Sequence, residues 1–310
     1  MPTVSVVIPV YRAALTLREL YSQLSATMPA LADEFEIIFV EDCGGDESWS
    51  IIVELAAADP HVRGIRMSRN YGQHNAVLCG IRAARYDVIV TMDDDLQHPV
   101  SGISSLLAAL TPDFDVVYGT RRNEQHGFLR NFASRLTKFA LASTMGIGIA
   151  QNVISFRAFR TRLREGFSDF RGPNVFIDVL LSWTTTRFTA VRIQHAPRTL
   201  GVSGYSITRL LRHAIDLTTG FSTLPLQFAS IIGFVSVLFG IGILAAVVVN
   251  YLVNGSAVPG FAFLVSIIVI FAGAQLFALG IVGEYLARVH FRTMDRPAYL
   301  VGETVARDDD

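Results

Sequence analysis

DVIVTMDDDLQHP, residues 87–99, decides how the fold is read. Asp87–Met92 is an apolar, β-branched run of strand length. It ends abruptly in Asp93, Asp94 and Asp95. Three adjacent carboxylates repel one another unless solvent or a cation relieves them, and hard divalent cations favour oxygen ligands. On an extended chain Asp93 and Asp95 point to one side and Asp94 to the other. Gln97 adds a neutral oxygen on the side of Asp95. A solvated turn ahead of Ser101 is the alternative reading of the same residues.

On either side of this stretch, strand-like and helix-like segments alternate. Val4–Ile8, Phe35–Val40, Arg63–Met67 and Asp115–Gly119 read as strands. Leu15–Leu24, Ser48–Ala58, Gln73–Ala84 and Ser101–Leu110 have helical spacing. Short loops join them, which predicts an α/β fold with a mostly parallel sheet covered on both faces. Such sheets bind ligands beyond the carboxyl ends of their strands. Three polar clusters fall at those ends: Pro9-Val10-Tyr11, Glu41-Asp42 and Asp93-Asp94-Asp95. Neither GxGxxG nor GxxxxGK[ST] occurs, so a phosphate ligand would not be held by a glycine cradle.

Composition divides the chain unevenly. Charged residues are 17% of its 310 residues, below the roughly 25% of ordinary soluble domains. The deficit lies between Leu217 and Gly283, which hold no Asp, Glu, Lys, Arg or His. Within it, 228–249 and 261–283 are each long and apolar enough to span a bilayer. Asn250–Gly260 reads as a turn on the far side. Arg209, Arg212 and His213 precede the first span, and Arg288, His290, Arg292 and Arg296 follow the second. The positive-inside rule then places both termini in the cytoplasm and the protein in the inner membrane. A net charge of −1 argues against a nucleic-acid binder. Cys43 and Cys79 lack metal-type spacing and are expected as free thiols.

Cationic residues flank the membrane segment in patterns suited to an interface. Arg130, Arg135 and Lys138 ride with Phe128, Phe132, Leu136 and Phe139. Arg209, Arg212 and His213 ride with Leu210, Leu211 and Ile215. The expected organisation is an α/β domain over 1–125, a region with interface helices over 126–216, two transmembrane helices within 217–290, and a cytoplasmic tail over 291–310.

Four stretches carry a resemblance: VSVVIPVYR at 4–12, FVEDCGGD at 39–46, RNYGQHNAVLCG at 69–80 and TMDDDLQHP at 91–99. With APRTLGVSGYS at 196–206 and GEYLAR at 283–288, they resemble family 2 glycosyltransferases, and within them the polyprenyl-phosphate group. The resemblance implies a Rossmann-like glycosyltransferase A-type nucleotide-sugar domain, amphipathic interface helices and a two-helix transmembrane hairpin. It implies inverting transfer from a nucleotide-sugar donor, UDP-linked in preference to GDP-linked, to polyprenyl phosphate at the membrane, and a homo-oligomer. Pro9 and Tyr11 would line the nucleotide pocket. Asp42 would hydrogen-bond the base, with Glu41 beside it and Arg69 nearby. Asp93 and Asp94 belong to the same donor-binding set. Asp93, Asp95 and Gln97 would hold Mg²⁺ or Mn²⁺ against the donor diphosphate. Arg198 and Ser203 would bind the acceptor phosphate, and Arg121 would lie near both phosphates. Asp178, in FIDVLLSW at 176–183, is read first as a structural helix carboxylate, with a catalytic base as its runner-up role.

The chain departs from the family in three places, one of them Glu41-Asp42-Cys43-Gly44 where the family often has Asp-Asp-Gly-Ser. Arg12, Ala13 and Ala14 stand where an acidic residue usually follows the tyrosine. Gly204 replaces the lysine of the family's RxxGxSKY loop. Two other functions stay open at this point. A processive polysaccharide synthase would carry QxxRW, whereas Trp49 and Trp183 do not follow arginine. A non-enzymatic membrane protein that binds nucleotide is the other.

Overall fold

The structure is a computed structural model that describes residues 1–120, 153–172, 175–193, 224–254, 260–294 and 297–307. The chain forms two compact units, one from Met1–Leu211 with Asp295–Asp310, the other from Arg212–Met294.

The first unit is built on one eight-stranded sheet. Its strands among the described residues are β1 (Thr3–Val10), β2 (Glu34–Glu41), β3 (Val62–Met67), β4 (Val88–Thr91), β5 (Val116–Thr120), β6 (Val153–Arg160), β7 (Phe188–Arg192) and β8 (Val301–Ala306). Their order is β7-β5-β6-β4-β1-β2-β3-β8. The central strands β4, β1, β2 and β3 are parallel. β6 runs antiparallel to β4 and β5, and β8 antiparallel to β3.

The central strands are apolar on both faces because helices cover both. Val4, Val6, Ile8 and Val10 pack on one side with α1 (Leu17–Thr27), α2 (Ser48–Ala58) and α4 (Gly102–Ala109). Leu17, Leu20 and Leu24 supply the buried stripe of α1 at helical spacing. Val7, Ile38 and Val40 pack on the other side with α3 (Gln73–Ala83) and α5 (Ile177–Thr184). Each expected strand and helix of the first 120 residues is present. Cys43 and Cys79 are free thiols.

Two expected boundaries change. The sheet does not end at residue 125, because β6 and β7 complete it and α5 covers it. The stretch 291–310 is not a plain tail, since β8 within it pairs with β3 from Arg63↔Ala306 to Met67↔Val301. The nitrogen of Ser68 also donates to Leu300 O at 2.9 Å. The expected interface helices, over 130–139 and 209–215, lie outside the described residues.

The second unit holds α6 (Leu224–Asn254) and α7 (Phe261–Thr293), of 31 and 33 residues. At 1.5 Å per residue these lengths are about 46 and 50 Å, more than the roughly 30 Å of a bilayer core. The two helices pack together, and Gly240 marks a close approach, since a Cβ there would lie 3.3 Å from the Phe271 ring. Outward, Phe234, Leu238 and Phe239 on α6 and Leu276, Phe277 and Leu279 on α7 are exposed. Both helices are long and apolar enough to cross a membrane.

Candidate active site

The sheet reverses its strand order around β1, with β2 on one side and β4 on the other. Pairing with β4 ends at Val7↔Thr91, and pairing with β2 continues to Val10↔Glu41. A crevice therefore opens between β1 and β4 beyond Val7, where open α/β sheets bind ligands. Val7 O still accepts Met92 N at 3.2 Å. Backbone alternation turns Pro9 to that same side, past the last pair, so its missing N–H costs no ladder bond.

Three loops meet at this end. The backbone N–H of Tyr11 donates to Asp94 Oδ2 at 3.0 Å and joins the β1 and β4 ends. Arg12 donates from Nε to Gly44 O at 3.0 Å and joins the β1 and β2 ends. Its guanidinium lies 5.3 Å from the centre of the exposed Tyr11 ring. Arg12, Cys43 and Leu96 have φ of 56°, 53° and 58°, and they are the non-glycine residues with positive φ among the described residues. A left-handed conformation costs an L-residue about 1–2 kcal/mol, and such strain collects at functional sites. One strained residue in each of the three loops marks this end of the sheet.

The β2 end is buried. Glu41 Oε1 accepts Gly44 N at 2.5 Å. Arg66 Nε approaches Glu41 Oε2 at 3.3 Å without hydrogen-bond geometry. Both oxygens of Asp42 accept backbone N–H groups, from Tyr71 and from Gly72, each at 2.7 Å. Gly72 has φ 94°, which suits glycine, and it precedes α3 directly. Burial pushes the Asp42 carboxyl above the usual range, against the lowering effect of the two N–H donors, and the Glu41 charge adds to the rise. Asp42 thus fixes the loop that carries Arg69, whose guanidinium lies 4.6 Å over the Tyr71 ring. Both Asp42 oxygens are thus engaged by this loop, a scaffolding role that the expectation of a base contact did not include.

The β4 end gathers the three aspartates. Asp93 Oδ1 accepts Gln73 Nε2 at 2.7 Å, and Oδ2 accepts Ser155 Oγ at 2.5 Å. Asp95 accepts the Gln97 backbone N–H at 3.1 Å and its side-chain amide at 2.8 Å. Burial is the main cause that raises Asp93, helped by the Asp95 charge. Burial also pushes Asp94 up to about 7, and the charges of Asp93 and Asp95 add to it. The hydrogen bonds to Asp93 and Asp94 come from neutral donors. Buried, mutually repelling carboxylates of this kind suit a divalent cation. Among the described residues no group of three or more His, Cys, Asp or Glu could hold a metal alone. That fits a cation that takes one or two carboxylates here and completes its shell from substrate phosphates.

Beneath Asp93 lies a residue the motif reading missed. Arg157 on β6 is 2% exposed. It donates from Nε to Thr91 Oγ1 at 3.0 Å and pairs through Nη1 with Asp178. Tyr118 Oη donates to the same Asp178 oxygen at 3.0 Å. One Asp178 oxygen thus holds both Arg157 and Tyr118, an anchoring role. Burial, and then the Asp178 charge, raise the Tyr118 phenol well above its ordinary value. Arg157 in turn lowers Asp93 electrostatically without displacing the Ser155 bond. The buried pair holds β6 in register under the aspartates. Arg121, Arg198 and Ser203 lie outside the described residues.

Comparisons with known proteins agree with this geometry. The model of the family "Glycosyl transferase family 2" matches residues 5–167. An undecaprenyl-phosphate 4-deoxy-4-formamido-L-arabinose transferase of Enterobacter sp. (strain 638) is 34% identical over 308 residues, covering 98% of this chain and 94% of the relative. The protein of the same name from Shewanella sediminis (strain HAW-EB3) is also 34% identical, covering 96% and 91%. Among solved structures, glucosyl-3-phosphoglycerate synthase from Mycobacterium tuberculosis, crystallised with Mn²⁺, UDP and glucosyl-3-phosphoglycerate, superimposes with a TM-score of 0.53. It is 17% identical, with 71% of this chain and 79% of that one covered, and so speaks for the fold.

Proposed function

The chain belongs to glycosyltransferase family 2 and is a glycosyltransferase, and from that premise we propose that it moves one sugar from a nucleotide donor, UDP-linked, to undecaprenyl phosphate at the cytoplasmic face of the inner membrane. The observation that carries this reading is the aspartate-lined crevice at the β1–β4 switch point in a chain that also holds two membrane-length helices. Relatives covering nearly the whole chain bear the name of undecaprenyl-phosphate sugar transferases, which supports the same acceptor.

Asp95, with Asp93 and Gln97, would hold Mg²⁺ or Mn²⁺, which supplies charge stabilisation for the departing nucleoside diphosphate. Tyr11, Asp42 and the Arg69 loop would seat the nucleotide at the ends of β1 and β2. Arg121, Arg198 and Ser203 are assigned to the phosphates by their match to the family's motifs. A phosphate monoester has a second pKa of about 6, so at neutral pH the acceptor oxygen is already anionic. It attacks the anomeric carbon directly, the bond to the diphosphate breaks, and the configuration inverts. No side chain need remove a proton, in keeping with Asp178 being committed to Arg157. Rate then comes from positioning and from stabilised charge.

Purified full-length protein should convert undecaprenyl phosphate and one member of a nucleotide-sugar panel into a product whose mass equals lipid phosphate plus one sugar. EDTA should suppress that product. Formation of polymer, or nucleotide binding with no lipid-linked product from any donor in the panel, overturns the proposal.

A further inference from the structure

At the other end of the same sheet lies a cleft of about 730 Å³ with Arg85, Arg160, Arg162, Arg164 and Arg187 on its walls. Asp87 and Glu165 also line it. Asp87 immediately precedes β4, and Asp93 follows β4. Six residue steps separate them, about 20 Å at 3.3 Å per step. The cleft is therefore not part of the donor crevice.

Its arginines are held in advance of any ligand. Asp115, with a side chain 7% exposed, receives three of them. Arg162 reaches Oδ1 at 2.9 Å, Arg187 reaches both oxygens at 3.0 and 3.1 Å, and Arg160 Nε stands 3.5 Å away. Main-chain carbonyls fix the rest of the geometry. Arg160 donates to Thr111 O at 3.0 Å, Arg187 to Pro112 O at 2.7 Å, and Arg164 to Ala84 O. Arg85 is exposed at the rim. Five guanidinium charges face the carboxylates of Asp87, Glu165 and Asp115, which leaves two positive charges in excess. A guanidinium offers five donors in a planar fork that matches phosphate, and fixing it beforehand lowers the entropy lost on binding.

We propose that this cleft is a second anion site, separate from the donor crevice, that binds a phosphate-bearing ligand with at least two negative charges. Inorganic pyrophosphate is the probe, titrated by calorimetry into the full-length protein in nonionic detergent with EDTA present. The wild-type protein should bind it, and the doubly substituted Arg85→Gln/Arg162→Gln protein should bind at least ten times more weakly. Both side chains are exposed, so the fold should survive, and an unchanged melting temperature checks this. Asp95→Ala should leave pyrophosphate affinity as it was. Equal affinity in wild type and the double variant, or loss in Asp95→Ala, overturns the proposal. The source of the phosphate is read in nanodiscs of phosphatidylcholine with and without phosphatidylglycerol. Unchanged pyrophosphate affinity in the anionic discs assigns the cleft to a soluble ligand. Competition there assigns it to a lipid headgroup.

Discussion

At the carboxyl end of β4, burial and two neighbouring carboxylates push Asp94 up to about 7. At the amino end of β5, Asp115 is buried too, yet hydrogen bonds from Thr185, Arg162 and Arg187 outweigh that burial and hold it below the usual carboxylate range. The residue type is the same and the sheet is the same. What differs is the supply of counter-charge. Arginines surround Asp115, whereas the hydrogen bonds to Asp93 and Asp94 come from an amide, a hydroxyl and a backbone N–H. A carboxylate that the fold already neutralises is part of the scaffold. One that the fold buries beside its like, with its pKa raised, is suited to a cation brought by ligand or solvent. Backbone strain follows the same division, since Arg12, Cys43 and Leu96 lie at the carboxyl end.

The largest effect tests this division at Asp95. Asp95→Ala should lower lipid-linked sugar formation by at least about 100-fold. Its melting temperature should stay close to wild type, because the substitution also relieves repulsion among three adjacent carboxylates. A variant that kept its activity and lost its stability would reverse the roles assigned to the two ends of the sheet.

The carboxyl end was largely legible from the chain, because its features are local. β4 is four buried residues, with Met92 alone between it and the aspartates, and β1 and β2 end in polar clusters at the same level. The amino end was hidden because its contacts are long-range. Asp115 meets Thr185 and Arg187 about seventy positions later, and no spacing rule links them. Arg157 was missed for the same reason. It stands in SFRAFR, where strand alternation groups it with Ser155 and Phe159 and so marks its face neither as wet nor as dry, and its burial is made tolerable by Asp178, Tyr118 and Thr91. β8 escaped notice because an edge strand with mostly exposed side chains has no apolar run to announce it, and main-chain pairing with β3 holds it. That strand bears on experiments. Any truncation ahead of the membrane helices also removes β8 and bares the β3 edge, so a hairpin deletion has to rejoin the chain before residue 295.

A smaller effect is expected at Asp115, as a change in stability. Asp115→Asn should cost about 1–2 kcal/mol at neutral pH, discounted because its arginine partners are partly exposed. The sign with pH follows from a lowered folded-state pKa. The contribution is fully present above the unfolded value of about 4, and it is lost as pH falls through the folded value. Melting curves of wild type and variant should therefore lie apart at pH 7 and converge as pH drops below about 4. A gap that widened on acidification would mean that Asp115 is not held ionised by its arginines.

The smallest effect concerns Arg12. Its φ of 56° costs an arginine about 1 kcal/mol, and asparagine tolerates that conformation better. Arg12→Asn should therefore raise stability by up to about 1 kcal/mol, less whatever the part-buried bond to Gly44 O contributes. The same change removes the guanidinium beside Tyr11 at the mouth of the crevice. If the strain is retained for donor binding, UDP affinity measured by calorimetry should fall while the melting temperature rises. Opposite movements of the two quantities are what distinguish a strained binding loop from a poorly packed one. A variant that binds UDP as well as wild type and is also more stable would show that the left-handed turn after Tyr11 serves the path of the chain alone.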